Sequence, residues 1–182
     1  MLAAIVIIAL LAALATPSFI AMMRDRRVTQ VGISLADTYR EARSRALARG
    51  IAVAVRWKSD GSGKGTIEIR EALVLLPGQG VTKSCHTADW STGSADTRMV
   101  TLQSFASSIY ELADIKLFTQ AGLDSPFGET CFAPDGRTLV RYSDGAAFEP
   151  LAGVPHFEVL NTQTNFKRIV HLPPNGVARL SL

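Results

Sequence analysis

The chain reads as an α+β protein: one long N-terminal helix packed on an antiparallel β-sheet domain. Three observations predict this. Met1 to Met23 carries no charged residue, and Met1 to Ala15 is unbroken apolar sequence. From Val28 to Ala46, apolar residues recur every three or four positions, and the pattern ends at Gly50. Beyond Gly50, short runs rich in β-branched residues alternate with Gly, Pro, Asp and Asn. A length of 182 residues suits one domain of ordinary size. The 47% apolar content excludes a disordered chain, and two cysteines exclude a disulfide-dense miniature scaffold.

The first element is the helix. As a helix, Met1 to Met23 would be about 35 Å long, and a hydrocarbon core of about 30 Å needs roughly 20 apolar residues, so the segment is long enough to span. A cleaved secretory signal fits the Ala13-Leu14-Ala15 triplet, but no Lys or Arg precedes the apolar run. A buried core helix fits poorly with an all-round apolar surface at the end of the chain. A retained anchor fits the residues after Met23. Arg24, Arg26 and Arg27 arrive at once, and the helical pattern then continues. Val28, Val31, Leu35, Tyr39, Ala42 and Ala46 make one stripe, opposite Gln30, Asp37, Glu41, Arg45 and Arg49. Gly50 stands where a C-terminal helix cap belongs. The expectation is a helix of about 45 to 50 residues, kinked at Pro17, whose ring removes the N–H that would bond the Ala13 carbonyl. Residues 1–23 form its membrane half, 24–50 its amphipathic half, and 51–182 the sheet domain.

Ile51 to Trp57 reads as a strand, Ser59 to Gly65 as a loop, and Thr66 to Arg70 as a half-exposed strand, together a hairpin with a long tip. Leu73 to Leu76 is a short apolar run stopped by Pro77-Gly78. Met99 to Phe105 and Ile115 to Phe118 are further strands. Glu129 to Phe132 and Thr138 to Tyr142 flank a Pro-Asp-Gly turn. His156 to Leu160 and Arg168 to Leu172 flank Asn161 to Phe166 as another hairpin, and Val177 to Leu180 closes the sheet.

The net charge of +3 is concentrated in the helix: residues 24–49 hold seven arginines against three acids, and the remainder is nearly balanced. Contact with anionic headgroups, filament partners or nucleic acid are the functional readings, and a solvated helix face is the plain one. Enzyme readings find little support. Gly61-Ser62-Gly63-Lys64-Gly65 lacks the spacing of a phosphate loop and reads as a hairpin tip. There is no G-x-S-x-G or H-E-x-x-H, His86 beside Cys85 is no zinc spacing, and His156 and His171 stand alone, so no catalytic residue, metal or cofactor is expected. A hydrolase on a membrane anchor is the enzymatic rival.

Met1 to Phe19, with Pro17 followed by Ser18 and Phe19, resembles the N-terminal helix of type IV pilins and type II secretion pseudopilins, downstream of that helix's F-T-L-I-E start. Further motifs, in order, resemble the FimT/GspH branch. These are Glu41-Ala42-Arg43-Ser44-Arg45-Ala46, Asp89-Trp90-Ser91-Thr92-Gly93, Phe132-Ala133-Pro134-Asp135-Gly136-Arg137 and Pro174-Asn175-Gly176-Val177-Ala178-Arg179-Leu180. The family's basic leader, its N-methylated phenylalanine and the glutamate four residues later do not precede this helix, and a chain lacking its first residues is expected.

The resemblance implies a minor pilin or pseudopilin held in the bacterial inner membrane by a single pass, with the C-terminal domain in the periplasm. After assembly, the same helix packs in a filament or filament tip. Ile5, Ile8, Leu11, Leu14, Pro17 and Phe19 would carry both roles. The implied partners are other pilins or pseudopilins, the assembly platform and the inner membrane. Loops Ser59 to Gly65 and Ser84 to Asp96 would face outward. The family's G-R-x-R strand implies DNA contact during uptake. Here Gly176 and Arg179 match, Val177 replaces the first arginine, and Lys167 and Arg168 are added candidates. Cys85 and Cys131 are expected to bridge in an exported domain, with two free buried thiols as the alternative. A type IV pilus subunit, a type II secretion pseudopilin of the GspH kind, and an anchored periplasmic domain unrelated to filaments all remain open.

Overall fold

The computed structural model describes residues 2–73, 84–107, 110–174 and 177–181, with side chains from Thr16 onward except Pro17. Gly176, residues 74–76 of the expected apolar run, and the side chains of Ile5, Ile8, Leu11, Leu14 and Pro17 lie outside the described set.

Helix α1 spans Leu2–Arg49 as one element. Its C-terminal half is the amphipathic rod the spacing predicts: Val28, Val31, Leu35, Ala36, Tyr39, Ala42 and Ala46 are all buried. Gly50 ends it in the left-handed conformation (φ 65°), its N–H bonding the Ala46 carbonyl at 3.0 Å. Gly32 has a different reason to be glycine. A Cβ there would stand 2.7 Å from the Leu180 side chain, so the missing methyl group lets the last strand close on the helix.

Among the described residues, no helix is long and apolar enough to cross a membrane. This overturns the expected single-pass inner-membrane location.

The strands are β1 (Val53–Ser59), β2 (Gly65–Ala72), β3 (Thr97–Ser104), β4 (Ala113–Phe118), β5 (Asp124–Ser125), β6 (Phe127–Phe132), β7 (Thr138–Arg141), β8 (Glu149–Pro150), β9 (His156–Asn161), β10 (Lys167–His171) and β11 (Arg179–Ser181). They form two antiparallel sheets rather than the single sheet expected. Sheet A has the order β3-β2-β1-β6-β7-β8, and sheet B the order β11-β10-β9-β4-β5. The expected hairpins form within each sheet. What divides the sheets is long-range pairing, since β1 takes β6 as its second neighbour and β4 takes β9.

Both inner faces pack on α1. Trp57, Phe105, Phe157 and Tyr39 meet there, with Trp57 and Phe157 edge to face at 5.5 Å and Tyr39 and Phe157 at 5.8 Å. A second apolar cluster lies on the outer face of sheet A. In it Ala54, Cys131 and Leu139 are covered by Cys85, Ala88, Trp90 and Phe148. The Cys85–Cys131 disulfide pins that cover (Cα–Cα 5.9 Å). Ser84 to Asp96 therefore folds down onto the sheet.

The tip between β1 and β2 is fastened to sheet B. The Lys64 ammonium donates to the carbonyls of Tyr110 (2.6 Å), Glu111 (2.7 Å) and Ala113, and Ile115 N–H bonds the Gly63 carbonyl at 2.7 Å. Lys64 is thus spent on backbone oxygens, which removes the last likeness to a phosphate loop.

Candidate functional site

The exposed end of α1 is the first candidate. Among the residues whose side chains are described, Val28 is the first buried one along the helix. Ahead of it, Phe19 is 61% exposed, and Ile20, Met22 and Met23 are also largely open to solvent. Phe19, Ile20, Met23, Arg24 and Arg27 form one wall of a cleft of about 390 Å³, whose other wall is Glu111, Leu112 and Gln163. Asp25 fixes the helix beside this cleft. Its Oδ1 accepts from Asn161 Nδ2 at 2.9 Å and from Thr164 Oγ1 at 2.5 Å, in the turn between β9 and β10. The result is an apolar shelf with two arginines, held rigidly against the domain.

Much of the helix's positive charge is used internally. The Glu71 side chain, 1% exposed, accepts from Arg45 (3.1 Å), Arg49 (2.8 Å) and Arg98 (3.0 Å), joining the end of α1 to β2 and β3. Burial pushes the Glu71 carboxyl up, but Arg98, Arg45 and Arg49 outweigh burial and hold it below its ordinary value. Arg40 bonds Asp37 and the Ala178 carbonyl.

The candidate DNA residues do not gather. Lys167 and Arg168 are neighbours on β10 and so point to opposite faces. Lys167 pairs with Glu158 at 2.9 Å on the outer face of sheet B. Arg168 turns toward α1, its guanidinium 4.4 Å from the Phe166 ring centroid and its Nε 3.4 Å from Thr29 Oγ1. Arg179 stands opposite His171. No one patch holds all three.

The same register corrects the expectation that the histidines stand alone. Phe118, His156, His171 and Arg179 occupy successive strands in a single row. His156 stacks on Phe118 at 5.0 Å, His171 lies 5.9 Å from His156, and His171 Nε2 is 3.2 Å from Ser181 Oγ. The signal is present in the sequence. If the turn pairs Asn161 with Phe166, counting outward sets His156 opposite His171. Among the described residues, no three His, Cys, Asp or Glu side chains gather as metal ligands.

Sheet A carries a feature that the sequence pattern does not announce. Across four strands, Glu68, Arg56, Glu129 and Arg141 face one another in register. Their contacts run Arg56–Glu68 3.5 Å, Arg56–Glu129 3.3 Å and Arg141–Glu129 2.6 Å, with Arg70 closing on Glu68 at 3.0 Å. Trp90 and Phe148 roof this ladder; Arg56 donates to the Trp90 carbonyl, and Arg141 lies 4.7 Å from the Phe148 ring centroid. Burial raises the Glu129 pKa, with Arg56 and Arg141 pulling against it. The available clue is one charged residue at the same alternation phase in each of four apolar strands.

Compared with protein-family models, with curated proteins and with solved structures, the chain matches none.

Proposed function

We propose that this chain is a pilin-like subunit of the FimT/GspH kind that joins a filament through α1. The observation that carries this is the asymmetry of the helix. One 48-residue element is locked into the domain from Val28 onward, while Phe19, Ile20, Met22 and Met23 are left exposed beside Arg24 and Arg27. An exposed apolar patch on a rigid rod is stabilised when another molecule covers it, and a neighbouring subunit's helix has the matching shape. The order of the FimT/GspH-like motifs along the whole chain supports the same reading. The role is mechanical, with no reacting group. A type IV pilus subunit and a type II secretion pseudopilin would use this surface alike.

The test is genetic. A strain lacking the gene is complemented with the full chain or with Phe19→Asp/Ile20→Asp. Restored surface filaments, or restored exoprotein export, with the wild-type chain but not the variant supports assembly through this face and also names the system. An unaltered phenotype in the deletion strain, or full rescue by the variant, overturns the reading.

A further inference from the structure

Four strands end the two sheets, and three of them are blunted. β5 and β8 have two residues each, β8 ending in Pro150, and β11 has three. Very short edges of this kind keep other chains from pairing with a sheet. β3 is the exception. It runs eight residues, Thr97–Ser104, holds neither Lys nor Pro, and pairs with β2 alone among the described residues. Its one charge, Arg98, is drawn to Glu71 at 3.0 Å rather than guarding the edge. Met99 and Leu102 are 50% and 57% exposed.

The ladder shows which backbone groups are free. Phe105 N–H bonds the Gly65 carbonyl at 2.9 Å. The register then runs unbroken from Thr66 opposite Ser104 to Ile69 opposite Thr101, and shifts only beyond Ile69. Bonded pairs alternate along an antiparallel ladder, so Gln103 and Thr101 bond β2, while the N–H and C=O of Ser104 and Leu102 turn away from it. No described residue bonds those four groups.

Along this edge, between β3 and α1, lies a groove of about 390 Å³. Ser34 Oγ donates to Gln103 Oε1 at 2.9 Å and fixes the helix beside the strand. Asp37 and Glu41 are the only ionisable residues lining the groove, and both are largely open to solvent. Arg40 and Arg45, which pair with them, do not line it. The two sides of the edge therefore differ: exposed Met99 and Leu102 on the outer face of sheet A, and carboxylates on the helix side.

We infer that the Thr101–Ser104 edge takes up an extended segment of a partner protein as an added strand, with apolar residues over Met99 and Leu102 alternating with basic residues in the groove beside Asp37 and Glu41. Main-chain bonds to Leu102 and Ser104 supply affinity, and the alternation of side chains supplies specificity. This surface shares no residue with the shelf at Phe19, so the inference does not rest on the filament reading.

The probe is an eight-residue peptide alternating valine with lysine, added to the full, disulfide-intact chain at low salt. Saturable 1:1 binding is expected, together with slowed hydrogen exchange at the Leu102 and Ser104 amides. The same peptide N-methylated at every second residue loses one bonding edge, and glutamate in place of lysine reverses the charge; each should bind at least about tenfold more weakly. Leu102→Pro removes an N–H that faces away from β2, a place where an edge strand tolerates proline, and should abolish binding while the thermal unfolding midpoint stays close to wild type. Leu102→Ala keeps that N–H and should weaken binding only a few-fold. No binding below about 1 mM, binding that leaves the two amides unprotected, or equal affinity for the parent, N-methylated and glutamate peptides overturns the assignment. So does self-association of the chain that protects the same amides without peptide, which would give the edge to a second copy.

Discussion

The outer faces of the two sheets obey the same pleat and end in opposite states. On sheet A, Ser84 to Asp96 folds over the strands, so that Glu129 is 1% and Arg56 6% exposed. On sheet B the row from Phe118 to Arg179 stays partly exposed, and its ion pairs are a quarter to a half open to water. Alternation decides which side chains point outward; a pinned loop decides whether outward means solvent. Once covered, charges must be fully paired, because an isolated buried charge is far costlier than an exposed one. Sheet A is therefore a connected ladder of ions, whereas sheet B tolerates loose, local pairs.

That contrast can be broken most severely at Glu129. Replacing Glu129 with Leu leaves Arg56 and Arg141 buried without their shared counter-charge, and a loss of about 3 to 5 kcal/mol is expected in urea unfolding. The equivalent change on sheet B, Glu158→Leu, frees only exposed partners and should cost less than about 1 kcal/mol. Similar losses at the two sites would refute the comparison.

Removing the cover is the next largest effect. Cys85→Ser/Cys131→Ser should cost about 2 to 4 kcal/mol, and hydrogen exchange should rise first in residues 84–96. Uniformly faster exchange across both sheets would mean that the loop is not the local unit of opening.

A third effect depends on pH and has opposite signs at two glutamates. Glu71 titrates below its unfolded value in the folded chain, so it adds stability above that unfolded value. The contribution is lost as pH falls through the depressed folded value. Glu129 titrates above its unfolded value, so the ladder gives up stability as pH rises from about 4.3 toward the raised folded value. Stability profiles of Glu71→Gln and Glu129→Gln should therefore differ from wild type with opposite slopes on the acid side. Parallel profiles would sink this assignment. The smallest effect belongs to sheet B, where His171→Ala should shift stability by no more than about 0.5 kcal/mol.

The helix and the hairpins are legible in the sequence because their causes are local. The stripe from Val28 to Ala46 needs only a 3.6-residue period, Gly50 needs only a left-handed cap, and Asn161 to Phe166 closes its own hairpin. The division into two sheets is not legible, because β1 takes β6 as its second neighbour through contacts 69 to 79 residues apart in sequence. The ladder is hidden for the same reason: Arg56, Glu129 and Arg141 each look like a solvated charge until the strands are ordered side by side. The candidate assembly shelf is half legible. Phe19 and the arginines after Met23 stand out in the sequence, but the opposing wall of Glu111, Leu112 and Gln163 comes from a connection the helix pattern does not mention.

The two fastenings of α1 have a mechanical consequence. Asp25 ties one end of the embedded segment to sheet B, and Arg45 and Arg49 tie the other end to Glu71 of sheet A, roughly 30 to 36 Å along the axis. A pull along the helix thus enters the two sheets at different points and acts on them as shear. The Lys64 ammonium, seated on carbonyls across the junction, lies in the path of that load. Replacing it with Met would leave the resting fold nearly intact yet lower the force at which the sheets slide apart.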